Sequence, residues 1–462
     1  MKFYDREAEF KTLGKIRDNF RIAVIGRRRI GKTSLVENFY GKKCVTLFVS
    51  SEKAEKEIVK AWIKEYSAYG TPNVSTFKDF FDFVFAHMKD KVIFVDELQN
   101  FLKVNKSAIF DLQRAIDKHK PKLVVSGSII SLMKKLVEGY KSPLYGRFDF
   151  IIKLNELDFR TVFEICKDLS LGIEEAFRIY AVFGGVPKYY ELIEKSGKFG
   201  YDDFMLDSFV RYPRPLYEEV RTMLKEEFGK EHKTFFSILS AISQGNNKHS
   251  EIAGYIGKKQ TEITKYLSML KEDYELIERK TPVVEGKKGL YAIRNNLFAF
   301  WFGSIWKYNE LIETLQEAKA MGIIKNNLER HNSLTFEKTI TGLISQKILL
   351  PEHDFSKIGR QWGKFKGETG KNTYEIDIMA IDEDKKEALF AECKWQENLN
   401  PEKIIKELKD KARHVKWEEN ERKETYAVFA KSFSKKITVF EGKEAMCIDL
   451  KGIEKTLNKS FT

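Results

Sequence analysis

The chain has 462 residues, of which 42% are hydrophobic and 32% charged, and it carries a net charge of +13. That length exceeds one ordinary domain and points to about two to four packed units. Its longest strongly apolar run, 297–306, is about half the length of a bilayer-spanning helix, which excludes a membrane-spanning reading.

The basic balance points to a polyanionic partner, with DNA the expected one. Cys44, Cys166, Cys393 and Cys447 show no CxxC or zinc spacing, so neither a disulfide framework nor a structural metal is expected. Met1-Lys2-Phe3-Tyr4-Asp5-Arg6 carries charges where a secretory signal needs its apolar stretch, and the cytoplasm is the expected location. Abundant Lys and Glu with scarce Gln fit a source in a hot environment.

From 1 to 158, β-branched runs at 21–25, 44–49, 91–95 and 122–125 alternate with amphipathic helical stretches. This pattern predicts a parallel sheet covered by helices. The first run meets Gly26-Arg27-Arg28-Arg29-Ile30-Gly31-Lys32-Thr33, followed by Ser34 and a helical pattern. A Gly-x4-Gly-Lys-Thr motif at a strand-to-helix turn is a phosphate-binding loop. Its backbone N–H groups close around ATP phosphates, Lys32 reaches the β- and γ-phosphates, and Thr33 sets its hydroxyl on Mg²⁺. The side chains of Arg27, Arg28 and Arg29 are expected to point to solvent.

The strand ending in Val95-Asp96-Glu97 supplies the other half of the site: Asp96 to hold Mg²⁺, Glu97 to polarise the attacking water. Ser126-Gly127-Ser128 ends the next strand, and Ser128 resembles a sensor that contacts the γ-phosphate or the water.

These motifs resemble the archaeal ATPase family within the STAND branch of AAA+-like proteins. The likeness extends to Phe3-Tyr4-Asp5-Arg6-Glu7-Ala8-Glu9, Ser142-Pro143-Leu144-Tyr145-Gly146-Arg147, Phe183-Gly184-Gly185-Val186-Pro187 and Pro215-Leu216-Tyr217. It implies a helical lid over 159–231 with Pro187 beside the nucleotide and Gly184 and Gly185 allowing close backbone approach. Arg147 is implied either as a charge-stabilising arginine, acting across a homo-oligomer if in trans, or as a structural arginine.

Residues 232–310 read as three helices and a hairpin, the order of a winged helix-turn-helix. Lys258, Lys259, Lys265, Lys287 and Lys288 are candidates for phosphates, and Gln260, Thr261 and Thr264 for a DNA groove. The alternative is a winged helix that packs on the lid and binds no DNA.

A second α/β unit is expected over 330–462, with Phe336-Glu337-Lys338 opening a helix and strands at 374–380, 387–394 and 425–431. Glu392 and Lys394 share one face of their strand, and Asp377 falls on a neighbouring antiparallel one. Two carboxylates and a lysine suit metal-dependent phosphodiester hydrolysis, with Asp377 and Glu392 on Mg²⁺ and Lys394 positioning water. This set is similar to the PD-(D/E)xK nuclease core attached to archaeal ATPases, and the resemblance makes Glu337 the acid of the first helix. Ile376 stands where that motif has proline. Lys403, Lys406, Lys409, Lys411 and Arg413 could track a nucleic-acid backbone or form a solvated face. The expected function is ATP hydrolysis coupled to a DNA-directed domain, probed against two alternatives: a nucleotide-controlled switch, and a DNA-binding ATPase with an inactive nuclease fold.

Overall fold

The computed structural model describes residues 1–462 except 17, 18, 198, 285, 287, 288, 315, 366–372, 461 and 462. Lys287 and Lys288, expected on the hairpin, therefore lie outside the described residues.

Five strands, β1 (Arg21–Ile25), β2 (Cys44–Phe48), β3 (Val92–Asp96), β4 (Leu123–Gly127) and β5 (Phe150–Lys153), form a parallel sheet in the order β2-β3-β4-β1-β5. Alternate side chains enter separate cores, as a two-residue period requires. Ile22, Val24, Phe94 and Val124 face one side, and Ala23, Ile25, Ile93 and Val95 the other. All the expected strands are present. β5 was not expected: only Ile152 of its four residues is buried, so the sequence has no inward apolar pattern there.

Five helices follow from Phe159–Asp168 to Pro215–Phe228. Next come the helices His232–Ser243, His249–Tyr255 and Gln260–Ser268, and an antiparallel hairpin of β6 (Ile277–Lys280) and β7 (Leu290–Ile293).

The expected border at 330 is corrected. It lies inside one continuous helix, Glu317–Ser345, so Glu337 stands in that helix's last turns rather than at a helix start. A six-stranded mixed sheet follows: β8 (Lys357–Lys364), β9 (Thr373–Asp382), β10 (Glu387–Lys394), β11 (Lys423–Ala430), β12 (Val439–Phe440) and β13 (Lys443–Asp449). Its order is β12-β13-β11-β10-β9-β8. One face, with Phe390 and Tyr426, is covered by the helix Pro401–Ala412 around Ile405 and Leu408. The other, with Ile378, Leu389 and Phe429, joins the same apolar cluster as Phe177 and Val182 of the lid and Phe336 and Ile340 of the long helix. A sheet apolar on both faces needs both covered, and the lid provides the second cover. Among the described residues no helix is long and apolar enough to cross a membrane.

Candidate nucleotide site and acidic cleft

At the C-terminal edge of the parallel sheet, β1 runs into the loop 26–33, and Lys32 begins the helix Lys32–Tyr40. Gly26 is needed where it stands, because a Cβ would lie 2.8 Å from the Leu154 carbonyl oxygen. Gly31 has φ +92°, a left-handed value that glycine adopts without strain. Lys32 is buried, its Nζ donating to the loop's own Arg27 carbonyl at 3.0 Å. Burial pushes its pKa down, opposed by the charges of Glu97 and Asp96. An anion brought to this ammonium would relieve that desolvation, so the residues fit a phosphate group.

Thr33 donates to Asp96 at 2.6 Å, and Asp96 also accepts from the Ser126 hydroxyl and, at 3.0 Å, from the Glu97 N–H. A hydroxyl and a carboxylate already paired match a Mg²⁺ donor set that is completed by waters and phosphates. Glu97, with φ +59°, accepts from Ser128 Oγ at 2.7 Å, so Ser128 acts on the acid itself. Loop residues Ile30 to Ser34 and Glu97 open onto a cleft of about 570 Å³, closed on the lid side by Pro187, Lys188 and Glu191. Met1 to Tyr4 and Arg6 form its remaining wall, a role their sequence did not disclose. The Met1 amine pairs with lid residue Glu194 at 2.6 Å. Glu191 is held down at about 2 by Lys188 and Lys195.

The loop arginines require a correction. Only Arg28 is largely exposed. Arg27 turns inward to donate to the Tyr274 carbonyl at 2.5 Å and lies 5.5 Å from the Phe298 ring. Arg29, with φ +67°, pairs with Glu219 at 2.7 Å. Acids spaced along Pro215–Phe228 (Glu219, Glu226, Glu227) draw the loop cations towards the lid.

Of the two places implied for Arg147, its own chain shows the structural one. The guanidinium forms a forked pair with Asp117, at 3.0 and 2.9 Å, beside the N-terminal ends of β1 and β5. That is the edge opposite the phosphate loop, so Arg147 does not join its own chain's site.

The second sheet carries an acidic cleft of about 360 Å³ lined by Glu337, Arg360, Asp377, Cys393 and Lys394. β8 and β9 pair Gly359 with Met379 but Gln361 with Ile376, so β9 holds one extra residue, a bulge at Asp377–Ile378 opposite Arg360. The Asp377 carboxylate accepts from the Cys393 N–H at 3.0 Å. Lys394 Nζ lies 2.5 Å from Glu392 and 3.5 Å from Asp377, and Arg360 lies 3.3 Å from Glu337. Burial, opposed by Arg360 and reinforced by Asp377, pushes Glu337 up to about 7. Burial and then Asp377 push Glu392 up as well. Burial alone would lower Lys394, but Asp377 and Glu392 more than offset it and raise its pKa.

The expected metal pair, Asp377 and Glu392, is bridged here by Lys394. Lys411, expected with the helix's outward lysines, instead turns in to Glu392 at 2.6 Å. Among the described residues no group of three or more His, Cys, Asp or Glu is placed to hold a metal. One or two carboxylates with waters suffice for Mg²⁺, so the donor chemistry of the cleft still fits that ion. Lys338, next to Glu337, points the other way, donating to the Arg294 carbonyl at 2.5 Å and to Asn296 at 3.0 Å.

A parallel sheet with a phosphate loop at β1 and acids at the end of β3 defines a P-loop ATPase core. A family of ATPase domains predominantly from Archaea matches residues 3–193, and a family of archaea bacterial proteins of unknown function matches 301–428. The uncharacterized protein MJECL04 of Methanocaldococcus jannaschii is 34% identical over 458 residues, covering 94% of this chain and 97% of that protein. The chain belongs to one family with MJECL04, and its N-terminal part is an ATPase domain of the predominantly archaeal type. Two solved structures are similar at low identity. The Walker-type ATPase PABY2304 of Pyrococcus abyssi shares 19% identity with TM-score 0.48, over 65% of this chain and 96% of its own. The ORC2 protein of Aeropyrum pernix shares 14% with TM-score 0.43, over 71% and 95%.

Proposed function

We propose that this ATPase hydrolyses ATP with Mg²⁺ and uses its nucleotide state to govern a DNA-directed C-terminal domain that cleaves phosphodiester bonds. Lys32 holds the β- and γ-phosphates, Glu97 polarises the attacking water, and Ser128 orients Glu97. Thr33 and Asp96 would hold Mg²⁺, which neutralises charge on the phosphates.

The observation that carries the nuclease reading is the convergence of Asp377, Lys394 and Glu337 on one cleft, with buried Glu392 paired to Lys394 behind it. Two buried carboxylates raised in pKa beside a lysine are costly to keep without a use. Asp377 and Glu392 would hold a divalent ion, which supplies Lewis acidity to a phosphodiester, and Lys394 would orient the water.

The helices 232–268 and their hairpin are read as a winged helix that binds DNA. Lys258, Lys259, Gln260, Thr261, Thr264 and Lys265 are all exposed, so this face is not packed on the lid. The hairpin loop instead rests on the second sheet, with the Val284 N–H donating to buried Gln361 at 3.0 Å. That contact ties the DNA-reading element to the strand carrying Arg360. Charge reversal of Lys259 and Lys265 should abolish DNA affinity; unchanged affinity would remove DNA from this reading.

The test is cleavage of supercoiled, linear and branched DNA with Mg²⁺ or Mn²⁺, with and without ATP. Cutting lost in Lys394→Ala supports the nuclease, and Lys32→Ala reports whether ATP governs it. The second reading, a switch that binds without cutting, draws on Lys394 and Lys411 both engaging Glu392. It predicts intact ATP hydrolysis and no cleavage of any substrate.

A further inference from the structure

Gln99 belongs to none of the motifs above, yet it is only 2% exposed and stands between Glu97 after β3 and Ser128 after β4. It lies in the short turn Leu98–Asn100 that begins directly after Glu97. Its Nε2 donates to Glu97 Oε2 and lies 3.4 Å from Ser128 Oγ, which donates to that same Glu97 oxygen at 2.7 Å. Side chains following β3 and β4 thus close a triangle on one carboxylate oxygen.

The other end of the amide supplies an independent observation. Gln99 Oε1 is buried without a hydrogen-bond partner. Leaving such an atom unsatisfied is unfavourable, because it has lost its water without gaining a donor. It packs against Gly127, where a Cβ would fall 2.2 Å from Gln99 Oε1 and 2.3 Å from Met133 Sδ. The absence of a side chain at 127 therefore makes room for an amide whose satisfied end is aimed at Glu97.

We propose that Gln99 is a positioning residue for ATP hydrolysis: its N–H, with the Ser128 hydroxyl, pins Glu97 Oε2 and leaves Oε1 to accept from the attacking water. The inference rests on Glu97 as the group that polarises the water. Glu97 sits in the left-handed region before a one-turn segment, so no regular helix constrains its side chain. A carboxylate held by one donor can pivot about its terminal torsion, whereas two donors on one oxygen fix its plane. Misplacing a reacting group by about 1 Å costs on the order of a hundredfold in rate.

The test measures kcat, KM for ATP and the pH profile of kcat for Gln99→Ala, Gln99→Glu and Gly127→Ala, beside Glu97→Gln. Gln99→Ala is expected to lower kcat about ten- to hundredfold with KM unchanged, the signature of an interaction used in the transition state. Gln99→Glu keeps the shape but sets a second carboxylate against Glu97. The pair then shares a proton, and the acid limb of the profile moves to higher pH. Gly127→Ala should reproduce the kcat loss by displacing the amide. If Gln99→Ala does not fold, the near-isosteric Gln99→Glu carries the test. With Glu97→Gln inactive, an unmoved acid limb in Gln99→Glu and full specific activity in the folded Gln99 variants would overturn this inference alone. Retained turnover in Glu97→Gln overturns both it and the reading of Glu97.

Discussion

Arg29 of the phosphate loop and Glu219 of the lid helix are ion-paired at 2.7 Å, with side chains 30% and 10% exposed. The loop that grips phosphate is thereby fastened to the lid by one of its own residues. Removing one partner of a largely buried pair leaves an uncompensated charge. Arg29→Ala should lower unfolding stability by about 2–4 kcal/mol, and adding Glu219→Gln should restore part of it. Thermal unfolding of the two single variants and the double variant measures this coupling. Additive losses would show that the pair does not hold the lid.

Lys32→Ala should lose nucleotide binding, whereas Glu97→Gln should keep it and lose at least about a hundredfold in turnover. Equilibrium titration with a fluorescent nucleotide, alongside phosphate release, separates the two. Similar affinity losses in both variants would contradict the division of roles.

The acidic cleft makes stability pH-dependent in a definite direction. Glu337 titrates at about 7 in the folded chain, above an ordinary glutamate. Between the ordinary value and about 7 the folded state binds the extra proton, so stability falls as pH rises through that window. The loss is on the order of 3 kcal/mol. Melting curves from pH 4.5 to 8 should show this fall in the native chain and a flatter profile in Glu337→Gln. Mg²⁺ should recover part of the stability at pH 8 in the native chain and less in Asp377→Asn.

Because Asp117 holds Arg147 at the far edge of the sheet, Arg147→Ala should leave ATP hydrolysis per molecule unchanged. It should cost about 1 kcal/mol or less in stability, as partly exposed pairs do. Turnover measured across protein concentrations should stay flat, and mixing Arg147→Ala with Lys32→Ala should give no recovery. Recovery on mixing would show that the arginine works in trans.

The nucleotide half of the molecule was legible because its chemistry is local. Gly26 to Thr33 and Asp96-Glu97 are contiguous, and each sits on a strand whose apolar run is unmistakable. Gly185, expected to let the backbone approach the nucleotide, is needed for a chain contact instead: a Cβ there would lie 1.7 Å from the Leu157 carbonyl oxygen. What stayed hidden depends on distant partners. Arg27 and Arg29 read as solvent-facing because Tyr274 and Glu219 are about two hundred residues away in sequence. The strand β8, Lys-Ile-Gly-Arg-Gln-Trp-Gly-Lys, lacks the β-branched alternation of an ordinary strand and is held by its pairing to β9. The reach of the long helix past residue 330 was obscured because its buried side follows the lid and the second sheet in turn.

The extra residue in β9 gives one face of that strand two neighbouring side chains opposite Arg360. Deleting one residue between Ile376 and Met379 would let β8 and β9 pair without interruption. Tyr374 and Ile376 before the bulge and Met379 and Ile381 after it face the same apolar cluster, so Asp377 and Ile378 both turn to the opposite face, where Asp377 meets Cys393, Lys394 and Arg360. The bulge therefore gives that face two side chains in succession, one acid for the cleft and one apolar residue for the core. Shortening the strand by Ile378 would make the pairing regular and keep the acid, but would remove a fully buried side chain from the cover of the second sheet.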